Sequence, residues 1–194
     1  MTLYCATGNA GKLREIRRTI GAPFSLETLP GLESMEACEE TGTTFEENAV
    51  QKAVYYSRGF GGLLFAEDSG LEVEALNRAP GAYSARFAGP GATDEDNNSL
   101  LLEKLRGEKN RRARYVAVAA LARDGAVLAT FRGEVEGRIL EAPRGTSGFG
   151  YDPLFYYPPF ASTFAEALIE RKLEVSHRTK ALTAMLDSLR AIQS

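Results

Sequence analysis

Two adjacent carboxylates, Glu67 and Asp68, follow the apolar run "GGLLFA" and precede Ser69-Gly70. Acidic side chains at the end of a core strand admit two readings. One is a polar Asx-type turn. The other is a site for a hard divalent cation, which takes one or two carboxylates and completes its shell with phosphate oxygens and water. A second acidic pair, Glu39 and Glu40, lies in the loop "PGLESMEACEETG". Mg²⁺ is the ion that such a set suits.

Three other stretches carry chemistry. "TGNAGK", Thr7 to Lys12, joins a strand's end to a helix's start. Such a turn offers backbone N–H groups and the positive end of a helix dipole to an anion, and Lys12 adds a charge. The plainer reading, an ordinary strand–turn–helix junction, stands beside it. It is not a P-loop, which needs a longer loop and a hydroxyl after the lysine; Leu13 follows here. "SHRTK" puts His177 and Arg178 in a helix's first turn behind Ser176. Cations there oppose the dipole at a few tenths to about 1 kcal/mol each, a local cost that suits a docked anion or electron-rich ring. "SGFGYDP" sets Phe149 and Tyr151 among glycines. Its aromatics either stack on a nucleobase, with Asp152 accepting a base N–H, or plug the core beneath a loop.

The elements that must position these groups follow from periodicity. Strands are expected over 2–6, 24–29, 63–67 and 71–76, and helices from Lys12 to about Ile20 and from Thr43 or Thr44 to about Arg58. Thr43 or Thr44 with Glu46 or Glu47 forms a capping-box pattern. A further helix spans roughly 94–106, and two long antiparallel strands flank Asp124-Gly125, a hairpin signal. After an aromatic loop and two short helical pieces, a last helix spans 177–191. Alternating strands and helices with a central hairpin predict an α/β protein with a mixed sheet and flanking helices, in two lobes around a cleft. Residues 1–194 form one domain on this reading.

Bulk properties narrow the class. A formal net charge of −3 gives no electrostatic case for a nucleic-acid partner. The densest basic run, "KNRRAR" at Lys109 to Arg114, is read as a solvated loop before a strand. No run has the length of a transmembrane helix and the N-terminus lacks signal-peptide character, so no membrane partner is expected. Two cysteines, Cys5 and Cys38, fit a reducing cytoplasmic setting.

Taken together, "TGNAGK", "EETGTTFEENAVQKA", "EDSGLEVEAL", "PGAYSARFAG", "GFGYDPLF" and "SHRTKAL" resemble the non-canonical purine nucleoside triphosphate pyrophosphatases in order and spacing, from residue 4 to about 190. The resemblance implies an elongated two-lobed sheet, a homodimer, and Mg²⁺-dependent hydrolysis of inosine and xanthosine triphosphates, in ribose or deoxyribose form, to monophosphate and pyrophosphate. It implies that Thr7, Gly8, Asn9, Ala10, Gly11 and Lys12 cradle the triphosphate, and that Asp68 is catalytic base and metal ligand. Glu39 matches the second acidic metal position, with Glu40 adjacent. Ser69, Phe149, Gly150, Tyr151, Asp152, Lys172, His177 and Arg178 fall on substrate-binding positions. Arg178, donor-only, is the residue expected to recognise the oxygen at C6 of the base. The rival reading is a non-hydrolytic nucleotide-binding regulatory module.

Overall fold

The computed structural model describes residues 1–193, and the chain divides into two compact units. Met1–Asp68, Ala117–Gly133 and the segment from His177 onward make the first; Ser69–Val116 and Glu134–Ser176 make the second.

In the first unit, β1 (Thr2–Cys5) pairs in parallel with β2 (Ser25–Thr28) on one side and β3 (Leu63–Val73) on the other. Between β1 and β2 runs α1 (Ala10–Thr19), capped by Asn9, whose Oδ1 accepts Lys12 N–H at 2.9 Å. Helix α2 (Phe45–Ser57) starts behind Thr44 with a full capping box: Thr44 Oγ1 takes Glu47 N–H and Glu47 Oε2 takes Thr44 N–H, each at 3.1 Å. Helix α5 (His177–Gln193) packs against α1, and Leu182, Met185, Leu186 and Leu189 join Leu3, Ile16, Phe24 and Phe65 in one apolar core.

The second unit has its own core, in which Leu71, Val73, Leu101, Leu105, Tyr115, Ile139, Phe155 and Phe164 cluster. It contains α3 (Asp94–Lys104), capped by the reciprocal Thr93–Asp96 pair, the short strands β6 (Phe155–Tyr157) and β7 (Ser162–Thr163), and α4 (Ile169–Val175). The long strands β4 (Arg112–Arg123) and β5 (Ala126–Ile139) meet at Asp124 and Gly125, with φ of 50° and 76°. Positive φ at both central residues is what a tight hairpin turn demands. All seven strands join one mixed sheet in the order β2-β1-β3-β4-β5-β6-β7, the α/β sheet with flanking helices that the pattern predicts.

One expectation fails here. No turn follows Asp68: the two strands expected at 63–67 and 71–76 are one strand, Leu63–Val73, which runs straight through Ser69 and Gly70. Gly70 reads as a turn former in sequence, yet it serves a close approach. A Cβ at Gly70 would meet Ser84 Oγ at 2.1 Å, and the same hydroxyl accepts Leu71 N–H at 2.9 Å. The strand needs a residue without a side chain to admit Ser84, and it keeps its extended course.

Candidate active site

The parallel pairing of β1 with β3 ends at Cys5 and Phe65, and Ala6 N–H donates to Phe65 O at 3.1 Å. Beyond that point β1 turns at Thr7–Asn9 into α1, while β3 continues through Glu67 and Asp68. The turn and the two carboxylates therefore share the carboxyl end of adjacent parallel strands, the usual place for a ligand in such sheets. Lys12 closes the arrangement, its Nζ 3.1 Å from Glu67 Oε2. Within the turn, Thr7 Oγ1 accepts Asn9 N–H at 3.3 Å and Asn9 caps α1, so both side chains shape the turn itself. Gly8, Asn9 and Ala10 are exposed there; Gly11 and Lys12 are half-buried.

Successive residues of a strand face opposite sides, and the two buried carboxylates obey this. Glu67 meets cations from α1 and α5: Lys12, and Arg178, whose Nε lies 3.4 Å from Glu67 Oε1. Arg178 is only 1% exposed and also pairs with Glu15. Burial works against its charge, but the Glu67 and Glu15 carboxylates more than offset that and hold the guanidinium protonated. The cost of starting α5 with a cation is thus met by two carboxylates packed against it. In this conformation Arg178 is an anchor inside the first unit. His177, 4% exposed, is buried beside it, and β5 approaches so closely that a Cβ at Gly133 would lie 2.2 Å from His177 O.

Asp68 faces α2. Its Oδ1 accepts from Lys52 Nζ at 2.8 Å and its Oδ2 from Asn48 Nδ2 at 3.4 Å. The same Lys52 ammonium reaches Glu40 Oε1 at 3.2 Å. Burial raises the Asp68 carboxyl above the ordinary aspartate range, Lys52 and Lys12 pull it back, and Glu40 adds to the rise. Burial alone would depress Lys52, but Asp68, Glu40 and Glu67 together outweigh it, and the ammonium stays charged. Asn48 and Lys52 were absent from the sequence-based assignment, although "EENAVQKA" places them one turn apart beside the apolar Ala49 and Ala53. A polar pair at i and i+4 bordering a core stripe is the signal that could have found them.

Do these residues suit Mg²⁺? Asp68 and Glu40, from segments far apart in sequence, converge on one positive charge. Two hard oxygen donors meeting at a point that already favours a cation fit an ion that takes its remaining ligands from phosphate and water. Among the described residues no group of three His, Cys, Asp or Glu is placed to hold a metal unaided. Glu39 is exposed, whereas Glu40 is half-buried and reaches Lys52.

The second unit gathers Phe149, Gly150, Tyr151, Asp152 and Lys172. Lys172 is 3% exposed; its Nζ donates to Asp152 Oδ2 at 2.5 Å and lies 5.1 Å from the Phe149 ring centre. Asp152 also accepts Phe149 N–H at 3.1 Å and the Tyr115 hydroxyl at 3.3 Å. Helix α3 grips the loop: Asp94 accepts Gly150 N–H at 2.6 Å and Asn98 donates to Gly150 O at 3.0 Å. A Cβ at Gly148, whose φ is +80°, would meet Asp152 Oδ2 at 2.1 Å, so the loop requires glycine. Tyr151 is a core residue, donating its hydroxyl to Ser84 O at 2.8 Å, and burial pushes its phenol well above the ordinary range. Phe149 remains half-buried, and Ser69 is partly buried in β3.

Comparison with known proteins points one way. A family model described as the Ham1 family matches residues 3–188. The chain is 51% identical to a protein of Acidobacterium capsulatum named dITP/XTP pyrophosphatase, across 97% of this chain and 98% of that one. A Thermus thermophilus protein of the same name is 48% identical, across 97% and 91%. Among solved structures, the Staphylococcus aureus Ham1 protein superposes with a TM-score of 0.88 at 37% identity, covering 98% of this chain and 99% of its own. A HAM1 protein from Coxiella burnetii matches with the same score, identity and coverage.

Proposed function

The chain belongs to the Ham1 family, and on that premise we propose that it is a nucleoside triphosphate pyrophosphatase. It hydrolyses non-canonical purine nucleoside triphosphates, those of inosine, deoxyinosine and xanthosine, to the monophosphate and pyrophosphate, removing them from the nucleotide pool. The observation that carries the reading is Asp68: a buried carboxylate, held by Lys52 and Asn48, at the carboxyl end of the parallel strands where "TGNAGK" turns into α1.

Phosphoryl transfer of this type is mostly positioning and charge neutralisation. Mg²⁺, held by Asp68 and Glu40, would supply positive charge against phosphate oxygens. Thr7 to Lys12 cradle the triphosphate with backbone N–H groups and the Lys12 ammonium. Asp68 orients the attacking water and accepts its proton; water's oxygen bonds to the α-phosphorus and the bond to the departing pyrophosphate breaks. Lys52 favours the ionised form of Asp68 and aims both Asp68 and Glu40. In the second unit, Phe149 offers one ring face to an aromatic base while Lys172 and Asp152 fix the loop beneath it. Ser69, Gly150, Tyr151, His177 and Arg178 belong to the same proposal, as do a homodimer and a cytoplasmic setting.

Pyrophosphate release with Mg²⁺ from inosine, xanthosine, guanosine and adenosine triphosphates, run beside Asp68→Asn, tests this. Turnover of the first two, reduced on the order of a thousandfold in the variant, supports it. Binding without turnover in the wild type would favour a regulatory module instead.

A further inference from the structure

The basic run "KNRRAR" is, as expected, an exposed loop leading into a strand, β4. In the second unit it lines a cavity of about 900 Å³ together with residues far along the chain, at the end of β5 and beyond it. Lys109, Arg111 and Arg112 come from one segment, Arg138 and Arg144 from the other, against the two carboxylates Glu74 and Glu141. Arg144 is already paired with Glu166, its guanidinium 2.9 Å from Oε1. The local excess of positive charge therefore rests on Lys109, Arg111, Arg112 and Arg138, in a chain whose net charge is −3. None of these residues belongs to the machinery assigned to hydrolysis.

The walls are built in advance. Arg111 is spent on structure: its guanidinium donates to the carbonyls of Ile139 at 2.7 Å, Leu105 at 3.0 Å and Leu140 at 2.7 Å. Ile139 N–H returns a bond to Arg111 O at 2.9 Å, and Arg144 N–H is fixed to Pro153 O at 2.9 Å. That frame leaves the other cations differently placed. Lys109 and Arg112 are exposed and have no carboxylate partner among the described residues. Arg138 rests on the Tyr156 ring, 4.7 Å from its centre, with its guanidinium donors left for other acceptors. A cleft lined by one sign of charge concentrates counter-ions, and guanidinium forks match phosphate geometry. Leu140 and Ala142 add apolar wall, and the volume falls in the range of small-molecule sites. Glu74 and Glu141 accept hydrogen bonds only.

We propose that this cavity binds a nucleoside phosphate: phosphates on Lys109, Arg112 and Arg138, the ring on the apolar wall, sugar hydroxyls or base N–H groups on the carboxylates. It is a binding site separate in composition from the hydrolytic residues, with no chemistry performed in it.

Isothermal titration calorimetry of the whole protein with ADP, and separately with inorganic tripolyphosphate, reads the site. The comparison variant is Arg112→Glu with Arg138→Glu, its fold checked by circular dichroism. ADP binding to the wild type that falls at least about tenfold in the variant, while turnover of inosine triphosphate stays within about twofold, is the expected result. Equal ADP affinity in both proteins, or none in the wild type, overturns the proposal. Tripolyphosphate binding as tightly as ADP, and lost in the variant, overturns the nucleoside part and leaves a phosphate site. Should the double reversal unfold the chain, Lys109→Ala with Arg112→Ala, both exposed, gives the same reading.

Discussion

Lys52 Nζ lies 2.8 Å from Asp68 Oδ1 and 3.2 Å from Glu40 Oε1, so one ammonium aligns the two carboxylates proposed to hold the metal. Lys52 is one of the forces holding the Asp68 pKa down against its burial. Lys52→Met should therefore raise the Asp68 carboxyl further. The proposed role of Asp68 needs that carboxylate ionised, so the acid limb of kcat/KM should shift to higher pH and kcat/KM fall about 10- to 100-fold. Carboxyl-carbon NMR of the metal-free protein checks the sign directly: the wild-type Asp68 midpoint lies above an ordinary aspartate's and the variant's lies higher still. A variant midpoint at or below the wild type's would refute the account.

Arg178 offers a contrast between anchoring and recognition. Its guanidinium is paired to Glu15 and close to Glu67, all three buried. Removing one partner of a buried ion pair strands the remaining charge, at about 3–5 kcal/mol. Arg178→Ala should lower the unfolding free energy by that amount, and Glu15→Gln with Arg178→Met should recover part of it. A residue that only reads the base would raise KM and leave stability within about 0.5 kcal/mol. Chemical denaturation separates the two.

The two thiols differ sharply. Cys5 is fully buried in β1, and its thiol is pushed up to about 12, chiefly by burial and then by Glu67, with Lys12 and Arg178 opposing. Near pH 8 that leaves on the order of one thiolate in ten thousand, and only the thiolate reacts. Cys38 is half-buried in the acidic loop, its pKa raised mainly by burial. Iodoacetamide should label Cys38 in the native protein and Cys5 only after denaturation, as read by peptide mass spectrometry. Labelling of Cys5 at the native rate of Cys38 would contradict the β1 packing.

Local chemistry was legible in the sequence. The Thr44–Glu47 capping box, the Asp124-Gly125 hairpin and the start of α5 at His177 all depend on neighbours a few residues apart, and each is where the pattern puts it. What escaped depends on contacts across the chain. Glu15 and Arg178 are 163 residues apart, and nothing in α1's own pattern marks Glu15 as a buried partner. Gly70 looked like a turn because glycine serves both turns and close approaches, and only Ser84, far along the chain, decides between them. Likewise only the fold shows that Lys52 reaches Glu40 and not its neighbour Glu39.

Gly133 tests the same lesson on β5. A Cβ there would meet His177 O at 2.2 Å and Ala181 N at 2.5 Å, both backbone atoms of α5's first turns. Backbone cannot rotate aside as a side-chain tip does, so Gly133→Ala must push α5 outward or bend β5. Overpacking of this kind costs about 1–3 kcal/mol. The displaced turn carries His177 and Arg178, and Arg178 in turn lies against Glu67, the residue beside Asp68. Gly133→Ala should therefore lower both the denaturation midpoint and kcat, although position 133 carries no chemistry. If stability fell while kcat held, Glu67 and Asp68 would be positioned independently of α5, and the chain of contacts from β5 to Asp68 would be broken as an explanation.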